Sequence, residues 1–459
     1  MKKVQLSFFF LSIGIFTAYA QNQFDGVRSS DYLGVKSVFF NPANIVSNRY
    51  KWDVNLASAH VGAGNQNASF NINNLSDQIG NQVDSVLFGA NAKAVSAYGG
   101  VDVMGPSIMI GLGKKTSIAF TTRARAMLNI HDMDGKLMNA IQSPDNINLP
   151  YTLASATNQY IALNGWAEYG LSLGRVLFKT EHQLFKVGIS VKYLAGYSNN
   201  YMQINNIKGT VNYDANGVYL TSAGGNIQIG EGGADLTKMN TNQVAEFKGN
   251  GTAMDFGFVY EHGAKMQKSK KGNNPAGYKW KLSVAILDLG SIRYKVNPLY
   301  TADYAMHISS AQKFYMNGLQ DSSIAGIKNA LGKSPYFRDL GQMGSSYSVA
   351  MPTTLVGGID LNLISRFYLG LEGRLAFNNY IQPANPYYQN NFTITPHYEG
   401  RHLGLFIPLN MNGLTGFNAG FAICDGPLII GSGSIISLLT GSSRQADFYF
   451  GLHFGGLAK

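Results

Sequence analysis

Cysteine is all but missing. Cys424 is alone among 459 residues, so no internal disulfide framework holds the chain. Charge is also scarce, at 14%, where ordinary soluble domains carry about 25%. Proline numbers only 13, and no Pro/Ser-rich or charge-rich stretch reads as a linker between separate domains. After the first twenty residues no apolar run is long enough for a transmembrane helix, which needs ~20 residues. These shortages argue against a soluble multidomain enzyme and against a helical membrane protein. What is plentiful is glycine, at 53, with 26 Phe and 26 Tyr. That composition suits many strands joined by tight turns.

Residues 1–20 read as an export signal. Lys2 and Lys3 give a positive start, Val4 to Phe16 is apolar, and Ala18-Tyr19-Ala20 is a small-x-small cleavage site before Gln21. No Cys follows that site, so it is not a lipoprotein signal. Its removal takes two of the lysines and lowers the net charge from +10 to 10 − 2 = +8.

Side-chain parity supplies the rest of the fold class. Along a strand, successive side chains point to opposite faces. Phe448, Phe450, Leu452 and Phe454 share one parity, and Asp447, Tyr449, Gly451 and His453 the other. Ile118, Phe120, Ala124, Ala126, Leu128 and Ile130 oppose Arg123, Arg125 and Asn129. Phe185, Val187, Ile189, Val191, Tyr193, Ala195 and Tyr197 oppose Lys186, Gly188, Ser190, Lys192 and Gly196. Phe367, Leu369, Leu371, Leu375 and Phe377 oppose Tyr368, Gly370, Glu372 and Arg374. Strands with greasy outsides, in an exported chain without a helical span, fit one solution. Only a closed barrel leaves no backbone edge unpaired in lipid. The expectation is an all-β, transmembrane antiparallel β-barrel of about 14 strands (12–16). Asp447 to Phe454 is expected to close it against a first strand near Trp52 to Leu56. An Arg at Ile189 should then be costly, and one at Ser190 cheap.

Short connections at 113–115, 179–183, 364–366 and 412–413 alternate with long segments at 131–163, 204–250, 295–348 and 379–398, as expected of periplasmic turns and outer loops. Helical spacing recurs in Leu75, Ile79, Val83, Val86 and Leu87 and in Ile324, Ile327 and Leu331. The basic run Lys265, Lys268, Lys270 and Lys271 reads as a solvated turn.

The mature start carries a resemblance. Asp25 to Arg28, then Ser37-Val38-Phe39-Phe40-Asn41-Pro42-Ala43-Asn44, is similar to the start of the long-chain fatty-acid transporter (FadL-type) superfamily of outer-membrane barrels. Gly105-Pro106-Ser107, Lys192 to Gly196, Asp288 to Tyr294, Gly426-Pro427-Leu428 and Asp447 to Phe454 are further echoes. They are most similar to a branch of large Gram-negative outer-membrane proteins in the superfamily that also holds the type IX secretion shuttle barrel. The resemblance implies a 14-stranded barrel in which a segment with the Phe-x-Asn-Pro-Ala pattern forms an internal hatch. It divides this chain into a signal peptide at 1–20, a hatch at 21–50 and a barrel at 51–459. Relatives usually end near an aromatic residue, whereas this chain runs on from Gly455 to Lys459, which leaves the last residue of the closing strand open.

The hatch motif also reads from its residues. Pro42 fixes its own φ and pushes Asn41 out of the helical region, so Phe39, Phe40, Asn41 and Pro42 form a stiff bend. Phe39 and Phe40 then either plug an apolar channel or pack beneath barrel side chains. Arg123, Arg125, Glu168, Lys186, Lys192, Glu372 and Arg374 share the lumen parity; they either line a channel or pair to close it. Gly170-Leu171-Ser172-Leu173-Gly174 matches a nucleophile elbow, but inside a strand rather than at a strand-to-helix turn. Gly326 to Ser334 has one residue too many for a phosphate-binding loop. His397, Glu399 and His402 are close in sequence, and His397 and Glu399 share a parity; they read as an outer-loop or strand-end cluster, with a metal site as the lesser alternative. No catalytic set, cofactor, metal or nucleic-acid signature emerges. Two functions stay open: uptake of a hydrophobic or amphipathic small molecule across the outer membrane, or an accessory barrel that engages an outer-membrane or secreted protein partner.

Overall fold

The computed structural model describes residues 23–75, 94–142, 148–155, 158–233, 247–263, 278–299, 301–319, 324–341, 344–377, 382–400, 402–441 and 443–457. The expected export signal, the basic run at 265–271 and the expected helical spacing beyond Leu75 lie outside them. No helix among the described residues is long and apolar enough to cross a membrane.

Fourteen antiparallel strands close into one barrel. They are β1 (Tyr50–Asn65), β2 (Ala94–Met104, resumed as Ser107–Gly111), β3 (Thr116–Asp134), β4 (Gln159–Lys179) and β5 (Gln183–Asp214). Then follow β6 (Gly249–Gly263), β7 (Tyr278–Lys295), β8 (Ser346–Ala350, resumed as Thr354–Ile364), β9 (Phe367–Ala376) and β10 (Asn391–Glu399). The last are β11 (Leu403–Phe406, resumed as Leu409–Asn412), β12 (Gly416–Ala419, resumed as Phe421–Asp425), β13 (Leu428–Ser432) and β14 (Gln445–Leu457). β14 pairs with β1 from Gly64↔Gln445 to Tyr50↔Leu457, with Val54 opposite Phe454, so the expected seam forms and extends to Leu457. Three of the four interrupted strands break at a proline, Pro106, Pro352 or Pro408, which has no N–H for the ladder. The fourth breaks at Gly420, whose N–H reaches the carbonyl of Pro408 at 2.8 Å.

The faces follow parity. Phe448, Phe450 and Phe454 stand outside and are 40–48% exposed, while Tyr449 and His453 are buried inside. Near the end that carries the short turns at 180–182, 365–366 and 400–402, paired rings ring the outer surface. Phe178 stacks on Phe185, Tyr260 lies beside Trp280, and Phe367 beside Tyr398. Such an aromatic girdle below an apolar band marks where headgroups meet hydrocarbon.

Several expectations need correction. The turn after Asn412 is short but sits at the long-loop end, because β11 leaves the opposite end at 400–402. Segments 131–163, 204–250 and 295–348 are not simple loops. Strands Tyr151–Ala154, Gly217–Gly233, Ala302–Ile308 and Phe337–Asp339 pair beyond the barrel with the extension of β5 and with one another. Helices Gly135–Gln142 and Ile324–Lys333 accompany them. This outer lobe has an apolar core that includes Leu128, Ile130, Ile204, Ile229, Met306 and Phe337. Leu128 and Ile130 are therefore covered by protein rather than lipid, although they share the parity of exposed Ile118 and Phe120. Residues 391–398 belong to β10. On β5 the alternation of exposure ends after Tyr193: Ala195 and Tyr197 are buried, and Tyr197 is the unpaired residue of a bulge where Gly196 faces Trp166 and Ser198 faces Gly165.

Ser190 is not the cheap site that parity alone suggests: it is buried, with its hydroxyl 2.7 Å from that of Ser172 in a filled interior. Val191, two residues past Ile189 on the same strand, is 45% exposed on the outer face. Val191→Arg is expected to lower folding stability in vesicles by about 2–4 kcal/mol if it lies near the midplane. Urea unfolding of Val191→Arg beside Val191→Leu tests this, and an Arg variant as stable as the Leu variant would move Val191 off the lipid belt.

Candidate functional site: a plugged lumen

Residues 23–49 lie inside the barrel and are nearly all buried. The hatch starts as a turn of 3-10 helix, Asp31–Phe39, whose cap Ser30 accepts the Tyr32 N–H at 3.1 Å. It kinks at Gly34, where φ is 54°. Only glycine suits this position, because the Asp53 carboxylate occupies the space of a Cβ. That carboxylate accepts the Val35 N–H at 2.7 Å and, through its other oxygen, faces His453 Nδ1 at 2.6 Å. The Asn41-Pro42 bend follows in the expected extended conformation. Asn41 Oδ1 accepts the Ala43 N–H at 2.9 Å, while its Nδ2 donates to the carbonyls of Phe258 and Val284 at 3.2 Å each.

The glycines of the inner parity now have a purpose. A Cβ on Gly257 would strike Asn41, one on Gly188 would strike the Pro42-Ala43 backbone, and one on Gly174 would lie 2.7 Å from Ile45 Cγ1. The hatch backbone thus rests directly on the wall formed by β4, β5 and β6. Phe39 and Phe40 are buried with Phe24, Tyr32, Phe406 and Tyr449. The Arg123 guanidinium covers the Phe39 ring at 5.0 Å and that of Arg28 the Phe40 ring at 5.7 Å. Of the two roles left open, the geometry has these rings packed in a core.

All the lumen-parity charges point inward, and most are paired. Arg125 makes a two-pronged contact with Asp288 at 2.8 and 2.9 Å and reaches Glu168 with Nε at 2.6 Å. Lys192 Nζ lies 2.7 Å from Asp255 and 2.5 Å from Asp288. Arg123 grips Asp102 and donates to Gln23 of the hatch at 2.6 Å. Gln23 in turn donates to Tyr388, from the connection between β9 and β10, at 2.8 Å. Arg28 of the hatch bridges Glu372 at 2.5 Å and Asp25 at 2.9 Å, and Lys186 pairs with Glu261 at 2.6 Å. Arg374 stacks over Tyr388 at 4.8 Å. Asp102, Asp255 and Asp288 were missed as candidates. Asp288 sits at a bulge with φ of 60°, which turns its side chain inward against the alternation of its own strand.

Burial shifts the proton affinity of two hatch groups. Lys36 is fully buried, its Nζ has no hydrogen-bond partner among the described residues, and burial pushes its amine down to about 8. Burial pushes the Asp25 carboxyl up to about 7, against the pull of Arg28. Between the hatch and the wall of β7 to β10 a cavity of about 40 Å³ remains, lined by Arg28, Asn44, Lys281, Asp360, Glu372 and Thr395 among others.

The remaining motifs have structural settings. Ser172 of the Gly170–Gly174 motif is buried mid-strand against Ser190. Gly326 to Lys333 lies within a helix. His397 is stacked between Tyr368 and Phe406, with Nε2 3.6 Å from Asp360 and 3.9 Å from Glu399. His402 is exposed and lines a different cavity. Among the described residues no group of three His, Cys, Asp or Glu is arranged to hold a metal.

A closed fourteen-strand barrel with an apolar, aromatic-rimmed outside and a folded-in N-terminal plug defines a transmembrane barrel of the outer-membrane type. The chain belongs to the family described as a family of unknown function (DUF5723), whose model matches residues 42–433. No curated protein matches it in sequence. Among solved structures it is similar to a Pseudomonas aeruginosa FadL homologue (10% identity, 95% of this chain and 98% of that one, TM-score 0.43). It is also similar to a deletion mutant of the TodX monoaromatic hydrocarbon channel (12%, 95% and 97%, 0.42). A third similar structure is the translocator domain of the autotransporter NalP from Neisseria meningitidis (11%, 89% and 89%, 0.34).

Two predictions follow from the seat of the hatch. Gly188→Ala should unseat it while the barrel still folds, so proteolysis of residues 23–49 should speed up with no loss of heat-modifiable gel migration. Gly357→Ala, where a Cβ meets nothing within 4 Å, is the control; equal proteolysis of both variants would refute the close contact. Lys36→Met should raise stability at pH 7 by up to about 3 kcal/mol, because the folded chain takes up the Lys36 proton only near 8 instead of 10.5. A lowered amine costs stability in full below pH 8 and ceases to cost any above 10.5, so the gain should shrink as pH rises through that window. A gain that stays level from pH 7 to 10.5 would show that desolvation of the ammonium is not its source.

Proposed function

We propose that this chain is a gated outer-membrane channel of a Gram-negative cell that takes up a hydrophobic or amphipathic small molecule. In this reading the signal peptide is cleaved near Ala20, residues 21–50 are the hatch and 51–459 the barrel. The observation that carries the reading is the unequal seating of the hatch. Against β4 to β6 it rests closely on glycines, with hatch backbone against Gly188 and hatch side chains against Gly174 and Gly257. Toward β7 to β10 it is held by Arg28–Glu372, by Lys281 donating to the Ser29 carbonyl at 2.5 Å, and by Asn41. The cavity lies on that second side, where Ser283, Gly358, Gly370 and Thr393 keep the wall lined with small side chains. A shift that broke the few polar links would widen a path there without opening the barrel.

A second reading, an accessory barrel that engages another outer-membrane or secreted protein, is favoured by the outer lobe, which is large and has its own apolar core. The two separate on uptake by cells. Glu372→Gln, which weakens the Arg28 link, should raise entry of a labelled monoaromatic or alkyl probe at least severalfold over wild type. If neither wild type nor Glu372→Gln admits any apolar probe and a stoichiometric protein co-purifies, the channel reading fails and the second stands.

A further inference from the structure

A second cavity lies apart from the cleft described above. It has a volume of about 220 Å³ and sits at the short-turn mouth, between the hatch and the barrel seam. Its lining includes Tyr32 and Arg49 of the hatch, Tyr50 of β1, His402, and His453 and Phe454 of β14. Three features make it more than a gap. None of its lining residues is acidic, whereas Arg49, His402 and His453 are basic. His453 is buried, and while its Nδ1 faces Asp53 at 2.6 Å, its Nε2 has no hydrogen-bond partner among the described residues. Flat apolar surface stands beside these groups: Arg49 lies over the Tyr32 ring at 4.3 Å, and Tyr50 meets the His453 ring edge-on at 5.5 Å.

We propose that this mouth cavity is a binding site for a small organic anion with a flat or apolar body, of the class of an aromatic carboxylate. Arg49 supplies a guanidinium for the anionic oxygens, and the imidazoles of His402 and His453 stand beside it. Asp53 faces Nδ1 and so fixes the His453 ring in the cavity wall. Tyr32 and Tyr50 cover the body of the ligand. The volume is below the ~300 Å³ at which drug-sized pockets begin, so the occupant is small. The site also touches the plug directly. Asp53 holds both His453 and the Val35 N–H, and Tyr32 and Arg49 are themselves hatch residues. An occupant would therefore bind across the joint between hatch and seam. The assignment rests on this cavity alone and does not need the lumen to conduct.

The test uses the full-length barrel in detergent, titrated calorimetrically with benzoate and with benzyl alcohol, a neutral molecule of similar size. Benzoate should bind, and benzyl alcohol at least about tenfold more weakly, since a charge-assisted hydrogen bond is worth about 1.5–3 kcal/mol. Arg49→Met, which keeps most of the apolar stem, should lose at least about tenfold in benzoate affinity while retaining heat-modifiable migration. Leu457→Trp, at the rim, should block both probes. Absence of benzoate binding, equal binding of the two probes, or full affinity in a folded Arg49→Met would each overturn the site. A wild type that binds benzoate but passes no apolar probe in the uptake assay would leave this site standing and remove only the channel.

Discussion

The interior of this barrel hangs on Asn41. Its amide nitrogen reaches two wall carbonyls at once, those of Phe258 on β6 and Val284 on β7, which are cross-strand partners. Its oxygen caps the turn that begins at Pro42. One side chain thus fixes the direction of the hatch and clips it to a pair of strands. This works only because Gly257 leaves the space that Asn41 fills. Glycine in a strand costs roughly 0.5–1 kcal/mol relative to alanine, and here the loss is offset by a backbone-close seat for the plug.

Charge explains why the lumen is shut. Arg125 and Lys192 face Glu168, Asp255 and Asp288 in one connected group, Arg123 pairs with Asp102 beside it, and all are buried. Removing one member of such a group typically costs several kcal/mol, because an unpaired charge is left away from water. The group also ties distant strands together: Arg125 of β3 meets Asp288 of β7 across the lumen. A plain water-filled pore would solvate these groups singly. Here they hold one another, and Gln23 and Tyr388 extend the network into the hatch and the connection after β9.

Much of this was legible in the sequence, and the physical reason is periodicity. Lipid outside and protein inside impose a strict period of two, so the faces of β14, the inward turn of Arg123, Arg125, Lys186 and Lys192, and the seam with β1 could be read directly. The Asn41-Pro42 bend was legible for a local reason, since proline restricts its neighbour wherever it stands. Three things escaped. The outer lobe did, because alternation carries no depth: Leu128 looks like Phe120 although protein covers one and lipid meets the other. Asp288 did, because a bulge breaks the period that parity relies on. The ion pairs did, because their members are far apart in the chain, 163 residues for Arg125 and Asp288, and parity places a charge inside without naming its partner.

The seam and the plug are one construction. Asp53 of β1 accepts from the hatch at Val35 and faces His453 of β14, the strand that closes against it. Tyr449 of β14 donates to the Asp25 carbonyl of the hatch at 2.7 Å. A seam between first and last strands is held by its backbone ladder, as is any other strand pair. Here two of its inward side chains are also satisfied by the hatch, and the buried Asp53 carboxylate has its partners only when hatch and β14 are both in place. Seating and closure therefore share the same hydrogen bonds. The segment that fills the lumen also helps hold the barrel shut, so in the proposed channel the hatch releases its links to the far wall at Arg28, Lys281 and Asn41 while the Asp53 joint stays made.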